Sequence, residues 1–179
     1  IGGNGAGKST TLNAIAGVWP IDSGKIYIGG DDVTKLSEHK RAKYLGRVFQ
    51  DPMTGTATTM SIEENMAIAA RRGEKRGLSW GITHQERDTY REMLKALDLG
   101  LEDRLTSKVG LLSGGQRQAI TLLMASIKKP KLLLLDEHTA ALDPKTAAKV
   151  LEISDKIIAE NHLTAMMVTH NMRDAIAHG

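Results

Sequence analysis

Runs of apolar residues alternate along the chain with amphipathic stretches, and this alternation predicts strands separated by helices. The clearest strand is Leu132–Leu135, an uninterrupted run of leucines. Such a run is typical of a central parallel strand that is buried on both faces. Pro144 then opens a long helix in which Val150, Ile153 and Ile157 share one stripe. Strands and helices in alternation favour an α/β fold with a mainly parallel sheet.

Turn and capping signals place the other elements. Ser61 with Glu64, and Thr83 with Glu86, form the pattern of a capping box at a helix start. The remaining expected elements are strands at Lys25–Ile28, Arg47–Phe49 and Ala165–Val168, a turn at Gly29–Asp32, a loop at 53–60, and helices at Thr11–Gly17 and from Met172.

The middle of the chain is predicted to be mostly helical. Four apolar residues there recur at helical spacing, which indicates core packing: Tyr90, Met93, Leu94 and Leu97. We therefore expect an α/β core formed by residues 1–52 and 126–179 and incomplete at both ends. A helical subdomain over residues 53–125 is inserted into it.

A basic, glycine-containing stretch interrupts this helical segment. Between Arg71 and Ile82, glycines alternate with Arg71, Arg72, Lys75 and Arg76. We expect an exposed, mobile linker. A stretch of this kind is more often a solvated loop than a contact for lipid headgroups or a protein partner, and both interpretations stay open.

Composition narrows the classes of function. The chain has 179 residues, 41% of them hydrophobic and 25% charged, as in a globular protein with one sizeable core. The absence of cysteine excludes a disulfide framework and a thiolate metal site. A net charge of +3 gives no reason to expect a nucleic-acid partner. No apolar run approaches the roughly 20 residues that span a bilayer.

A glycine-rich segment near the start of the chain carries the first candidate chemistry. Its sequence, GGNGAGKST over residues 2–10, fits the phosphate-binding pattern G-x-x-x-x-G-K-[ST]. We call it the phosphate loop. Glycines let the backbone approach phosphate oxygens, and the amides of the loop and of the following helix start point at the anion. The residues expected to bind the phosphates are Gly2, Asn4, Gly5, Ala6, Gly7, Lys8, Ser9 and Thr10.

Individual side chains of the phosphate loop have separate expected roles. Lys8 is placed to reach the β- and γ-phosphates, Ser9 to ligate Mg²⁺, and Thr10 to donate a further hydrogen bond. Such a loop normally follows a buried strand, whereas only Ile1 precedes this one. We therefore expect the sequence to be a fragment that lacks the strand.

Two carboxylates follow the leucine run. Side chains at the carboxyl end of a buried parallel strand point into the crevice where open α/β sheets bind ligands. Asp136 is therefore placed to hold Mg²⁺, and Glu137 to orient or deprotonate an attacking water.

A second anion site is predicted at LSGGQ, residues 112–116, which we call the signature motif. Ser113 is expected to cap a helix whose first amides, at Gly114 and Gly115, are exposed. A single ATP does not need two anion sites, whereas two chains arranged head to tail would use both.

The ordered set of motifs resembles the ATP-binding subunit of ABC transporters. It comprises GGNGAGKST, VFQDP with Gln50, LSGGQRQ, LLLLDE, Ala141–Asp143 and VTHNM with His170. The resemblance spans the chain. It implies a P-loop NTPase core with an inserted helical subdomain that carries the signature motif. It also implies ATP hydrolysis that powers transport across a membrane.

The resemblance assigns further roles by position. Glu137, His170 and Gln50 would be the catalytic residues, with His170 donating a hydrogen bond to the γ-phosphate. Ser9, Gln50 and Asp136 would hold Mg²⁺. The residues that would meet the γ-phosphate bound to the other chain of a dimer are Ser113, Gly114, Gly115 and Gln116.

The implied partners are a second copy of the chain, in a dimer that Asp143 helps to couple, integral permease subunits and an external substrate-binding protein. The implied location is the cytoplasmic face of the membrane, and the form FQDP resembles importers more than exporters. The alternative is a soluble ABC ATPase that acts on DNA or ribosomes.

Two positions depart from the family pattern. His138 follows Glu137 where many relatives have proline, and a simple turn residue is one interpretation. The aromatic residue that stacks on adenine in this family lies upstream of the phosphate loop, so no residue of this sequence is assigned to that role.

Overall fold

A computed structural model describes residues 5–74 and 81–178. In chain order the elements are α1 (Lys8–Ala16), β1 (Tyr27–Ile28), β2 (Asp31–Asp32), α2 (Glu38–Arg41), β3 (Leu45–Val48), α3 (Ile62–Ala70), α4 (His84–Lys95), a 3₁₀ helix (Val109–Leu111), α5 (Gly114–Ser126), β4 (Leu132–Asp136), α6 (Pro144–Glu160), β5 (Ala165–Val168) and α7 (Met172–Ala177). Within these ranges, every helix is too short or too polar to cross a bilayer.

Strands β3, β4 and β5 form a parallel sheet with β4 in the centre. Val48 of β3 pairs with Leu135, and Val168 of β5 pairs with Asp136, so the three strands reach nearly the same level at their carboxyl ends. The prediction of a central parallel strand at Leu132–Leu135 is confirmed. This edge of the sheet is where an open α/β fold binds ligands.

The two faces of β4 are buried in different parts of the core, because successive side chains of a strand point to opposite faces. Leu134 packs in a cluster with Leu12 of α1. Leu133 and Leu135 pack in a second cluster with Ile120 of α5. Helices therefore cover both faces of a parallel sheet, and the predicted α/β fold class is confirmed.

Helix α5 approaches the sheet very closely. A Cβ atom built on Gly46 of β3 would lie 2.4 Å from the carbonyl oxygen of Ala125, so only glycine permits this contact. The second cluster runs without a break from Met66 and Leu94 in the helical segment to Leu133 in the sheet. The limits 53 and 125 of the helical subdomain therefore stay a prediction.

Several local predictions are corrected by the structure. The segment Gly29–Asp32 is not all turn, because Asp31–Asp32 forms β2 and pairs antiparallel with Tyr27–Ile28. Two glycines are enough for the tight turn of a hairpin. The third strand begins at Leu45, earlier than expected, and the short helix α2 carried no clear periodic signal.

The basic stretch after α3 is also different from the expectation where the structure describes it. Arg71 pairs with Glu86 at 2.8 Å, and Arg72 donates to the carbonyl oxygen of Ala125 at 3.1 Å. Arg71 thus connects the end of α3 to the start of α4, and Arg72 connects it to the end of α5. These two arginines therefore do not belong to an exposed linker. Residues 75–80 of the predicted linker lie outside the described residues.

Candidate functional site

The described part of the phosphate loop has the backbone that the motif predicts. Gly5 and Gly7 adopt φ of +79° and +83°, a region that favours glycine. Gly7 is the N-cap of α1 and, as a glycine, has no side chain with which to cap the helix. A helix start that follows a glycine-rich loop is a typical anion site, and Ser9 and Thr10 are exposed there. Gly2 and Asn4 lie outside the described residues.

Glu137 and His170 come together at the carboxyl edge of the sheet. The Nε2 atom of His170 lies 2.6 Å from Oε1 of Glu137. Glu137 follows β4, His170 follows β5, and the register of these strands brings the two residues side by side. The Glu137 side chain is 14% exposed and that of His170 is 53% exposed, so the pair lies at the mouth of the site.

The backbone of Glu137 is held in an unusual conformation. Its φ is +46°, in the left-handed region that costs a non-glycine residue about 1–2 kcal/mol. Its amide donates to the carbonyl oxygen of Val168 at 2.8 Å, and its own carbonyl accepts from the amide of Ala140 at 2.9 Å. These bonds fix the direction in which the carboxylate leaves the strand.

A cleft of about 630 Å³ opens beside this pair. Its walls come from the turn after β4, from α6, and from the segment around α7; they include Glu137, Leu142, Asp155, His170 and His178. Because both carboxylate and imidazole face open space, a reacting group has room to reach them.

Asp136 has a cationic neighbour. Nη2 of Arg47 lies 3.5 Å from Oδ2 of Asp136 and 2.8 Å from Oδ1 of Asn13. Asn13 belongs to α1, the helix that follows the phosphate loop. Arg47 therefore links the candidate phosphate site to the candidate metal ligand, and sequence reasoning had not singled it out.

Gln50 is exposed just beyond the end of β3. The preceding residue, Phe49, is hydrogen-bonded to α5, since Nε2 of Gln118 donates to the carbonyl oxygen of Phe49 at 3.2 Å. Gln118 is fully buried. It lies within LSGGQRQ, so the motif contained the signal, although the contact with Phe49 required the fold.

Ser113 caps α5 as predicted, and it forms a capping box with Gln116 that was not predicted. Ser113 Oγ accepts from the amide of Gln116 at 3.2 Å, and the Gln116 side chain accepts from the amide of Ser113 at 3.2 Å. The expectation that both glycines are exposed is right for Gly114 and wrong for Gly115. Gly115 is buried because it packs against α6, where a Cβ atom would lie 2.2 Å from Cγ2 of Thr146.

Asp143 caps the helix that the signature motif contacts. Its Oδ1 accepts from the amide of Thr146 at 3.1 Å, at the first turn of α6. Hydrogen bonds from the Thr146 side chain and amide lower the pKa of Asp143. The carboxylate is therefore charged at neutral pH and stabilises the start of α6.

The match to a family model, described as ABC transporter, extends over residues 1–140. This chain belongs to the ABC transporter family. It is an ATP-binding subunit, and such subunits are ATPases whose activity powers transport. The predicted family, ATP binding and ATPase activity are confirmed.

Relatives of this ABC transporter subunit include two bacterial proteins. The chain is 45% identical over 179 residues to a tyrosine transport ATP-binding protein of Clostridioides difficile, covering 100% of this chain and 71% of that protein. It is 34% identical over 175 residues to a thiamine import ATP-binding protein of Salmonella typhimurium, covering 98% and 69%. Both are named for transport, which gives the alternative of an ATPase acting on DNA or ribosomes no support.

Solved structures give the same assignment. An ATP-binding cassette in its ADP conformation superimposes with a TM-score of 0.79 at 26% identity, covering 99% of this chain and 71% of that one. A bacterial ABC transporter cassette solved as a dimer gives a TM-score of 0.77 at 30% identity, covering 97% and 74%.

His138 of this ABC transporter subunit is a buried residue and not a simple turn residue. It is 2% exposed, and its Nε2 lies 3.0 Å from Oγ of Ser154. The Ser154 hydroxyl donates to the carbonyl oxygen of Val150 at 2.8 Å, so it accepts from His138, and Nε2 carries the proton. Burial lowers the pKa of His138 to about 4, which keeps the ring neutral at physiological pH.

Proposed function

We propose that this subunit hydrolyses ATP in a head-to-tail dimer, at sites that combine the phosphate loop of one copy with the signature motif of the other. The observation that carries the proposal is the 2.6 Å contact between Glu137 and His170 at the carboxyl edge of the sheet. A carboxylate held in this way can accept a proton from a water that attacks the γ-phosphate.

Each side chain then has a defined task. The phosphate loop binds the phosphates through its amides, Lys8 and Thr10. Glu137 acts as the base, while His170 orients Glu137 and donates to the γ-phosphate. Gln50, exposed at the end of β3, positions the attacking water.

The residues present fit Mg²⁺. They are the hydroxyl of Ser9, the amide of Gln50 and the carboxylate of Asp136, all oxygen donors. Mg²⁺ sites usually combine one or two carboxylates with substrate phosphates and waters. Of these three residues, Asp136 would supply the charged ligand. Mg²⁺ would neutralise charge on the transferred phosphoryl group.

The second half of the site would come from the partner copy. Ser113 and Gly114 lie exposed at the start of α5, where the Ser113 hydroxyl and the Gly114 amide can meet a γ-phosphate. Gly115 packs this helix start against α6, Gln116 closes its capping box, and Asp143 caps α6. A change at the partner's phosphate would therefore be felt at Asp143.

The transport partners are permease subunits, with a substrate-binding protein outside the membrane. We place the subunit at the cytoplasmic face, where ATP is available. The names of its relatives point to import of a small organic solute. An aromatic amino acid is the first cargo to test, because the relative that is 45% identical carries tyrosine in its name.

A substitution at Glu137 tests the catalytic assignment. Glu137→Gln should retain ATP binding, lower hydrolysis by about 100-fold or more, and accumulate an ATP-bound dimer. Phosphate release and sedimentation velocity with and without ATP measure the two effects. Glu92→Gln is the matched control, since Glu92 lies exposed on α4, away from the cleft. Hydrolysis within threefold of the wild type in Glu137→Gln would remove Glu137 from the base role.

A further inference from the structure

We propose that Arg47 offsets the charge of Asp136 in the absence of nucleotide, so that Mg²⁺ binds this subunit together with ATP and not alone. Arg47 is then a positioning residue that sets the order in which metal and nucleotide bind. The inference rests on the Mg²⁺ role proposed for Asp136.

The position of the guanidinium is well defined. It is shared between two acceptors, Oδ2 of Asp136 at 3.5 Å and Oδ1 of Asn13 at 2.8 Å. Its Cζ atom stacks 4.7 Å from the centre of the Phe49 ring. The side chains of Arg47 and Asp136 are only 15% and 17% exposed, so water screens their interaction poorly.

Packing alone does not explain an arginine here. Among the described residues, its Nε is buried without a hydrogen-bond partner, which costs folding free energy. An unbranched apolar side chain could cover Phe49 and the adjoining cluster around Leu12 without that cost. The feature that only a cation supplies is positive charge next to Asp136.

That charge acts on the metal. A cation beside the principal carboxylate lowers its attraction for a second cation. The triphosphate brings several negative charges to the neighbouring phosphate loop and so restores the attraction for Mg²⁺. Asn13 follows this loop in α1 and holds the guanidinium, which places the balancing charge next to the nucleotide.

The test is direct binding of Mn²⁺, a substitute for Mg²⁺ whose free form is measured by electron paramagnetic resonance. Without nucleotide, Arg47→Met should bind Mn²⁺ about tenfold more tightly than the wild type, because one positive charge is removed. With ATP present, the two proteins should agree within about threefold. Arg91→Met is the matched control, because Arg91 is 45% exposed and pairs with Asp88 on α4. Equal or weaker binding in Arg47→Met without nucleotide would overturn the inference.

Two further variants keep the test decisive. Arg47→Gln removes the charge while keeping a donor for Asn13, and it should behave like Arg47→Met if that variant folds poorly. Arg47→Lys keeps the charge and should stay near the wild type. Tight binding in Arg47→Lys would show that shape, not charge, sets the affinity, and this would also overturn the inference.

The variant Asp136→Asn distinguishes a failure of the proposed Mg²⁺ site from a failure of the role of Arg47. If Asp136→Asn retains the Mn²⁺ that the wild type binds with ATP, Asp136 is not the metal ligand and the proposed function itself is at fault. If Asp136→Asn loses that Mn²⁺ while Arg47→Met resembles the wild type, only the role of Arg47 is refuted.

Discussion

His138 should make this subunit lose stability in mild acid. Its ring is buried and neutral, with a pKa of about 4, whereas the ordinary pKa of histidine is about 6.5. Burial is the main cause; Asp174 and Asp155 oppose it and His178 adds to it. Between these pH values the unfolded chain binds more protons than the folded chain. The free energy of unfolding therefore falls as the pH is lowered from 6.5 towards 4.

The size of the effect follows from the two pKa values. A difference of one in pKa corresponds to 1.36 kcal/mol, so the full loss below pH 4 is about 3 kcal/mol, and about 2 kcal/mol is lost by pH 5. This loss is a substantial part of the stability of a typical domain, whose free energy of unfolding is about 5–15 kcal/mol.

The assay compares variants at two pH values. Urea unfolding at pH 7 and pH 5, followed by circular dichroism, gives the loss of stability in each protein. His138→Gln cannot take up the proton and keeps a donor for Ser154, so its loss should be about 2 kcal/mol smaller than that of the wild type. His162→Asn is the control, since His162 is exposed and Asn tolerates its φ of +51°. Equal losses in the wild type and in His138→Gln would refute the reasoning.

Two other substitutions test the packing that supports the site. Gly115→Ala should destabilise the protein by about 1–3 kcal/mol, because the new Cβ would lie 2.2 Å from Thr146, and Thr146→Ala should recover most of this in the double variant; additive losses in urea unfolding would contradict the clash. Arg41→Met should lower the free energy of unfolding by about 3 kcal/mol, since the buried guanidinium donates to four carbonyl oxygens, two of them in the last turn of α1; an unchanged melting temperature would show that water replaces these bonds.

Elements with a local signal could be predicted from the sequence. The capping boxes at Ser61 and Thr83 and the helix cap at Ser113 have their signal within four residues, and all three form as expected. The leucine run of β4 needed no partner to be recognised, because a strand buried on both faces is apolar throughout. The strand β2 was not predicted, because its two aspartates are typical of a turn and only the pairing with β1 shows that they form a strand.

Contacts between distant residues could not be predicted in the same way. In the sequence, Arg47 is one polar residue of a short strand, and only the register of β3 on β4 shows that its side chain lies beside Asp136. The burial of His138 likewise depends on where α6 packs, since the acceptor Ser154 lies 16 residues further along the chain. The motifs thus supply most of the residues proposed for the site, and the fold adds the side chains that hold those motifs in place.

The strained backbone of Glu137 shows why these supports matter for the proposed base. A left-handed residue persists only where its surroundings over-determine it. Here the carbonyl oxygen of Val168 in β5 accepts from the Glu137 amide, and the next residue, His138, is hydrogen-bonded to Ser154 of α6. Since His170 also follows β5, a shift of that strand would move the proposed base and the histidine together. The direction of the carboxylate is therefore set before nucleotide arrives, and in the proposed mechanism no binding free energy is needed to orient it.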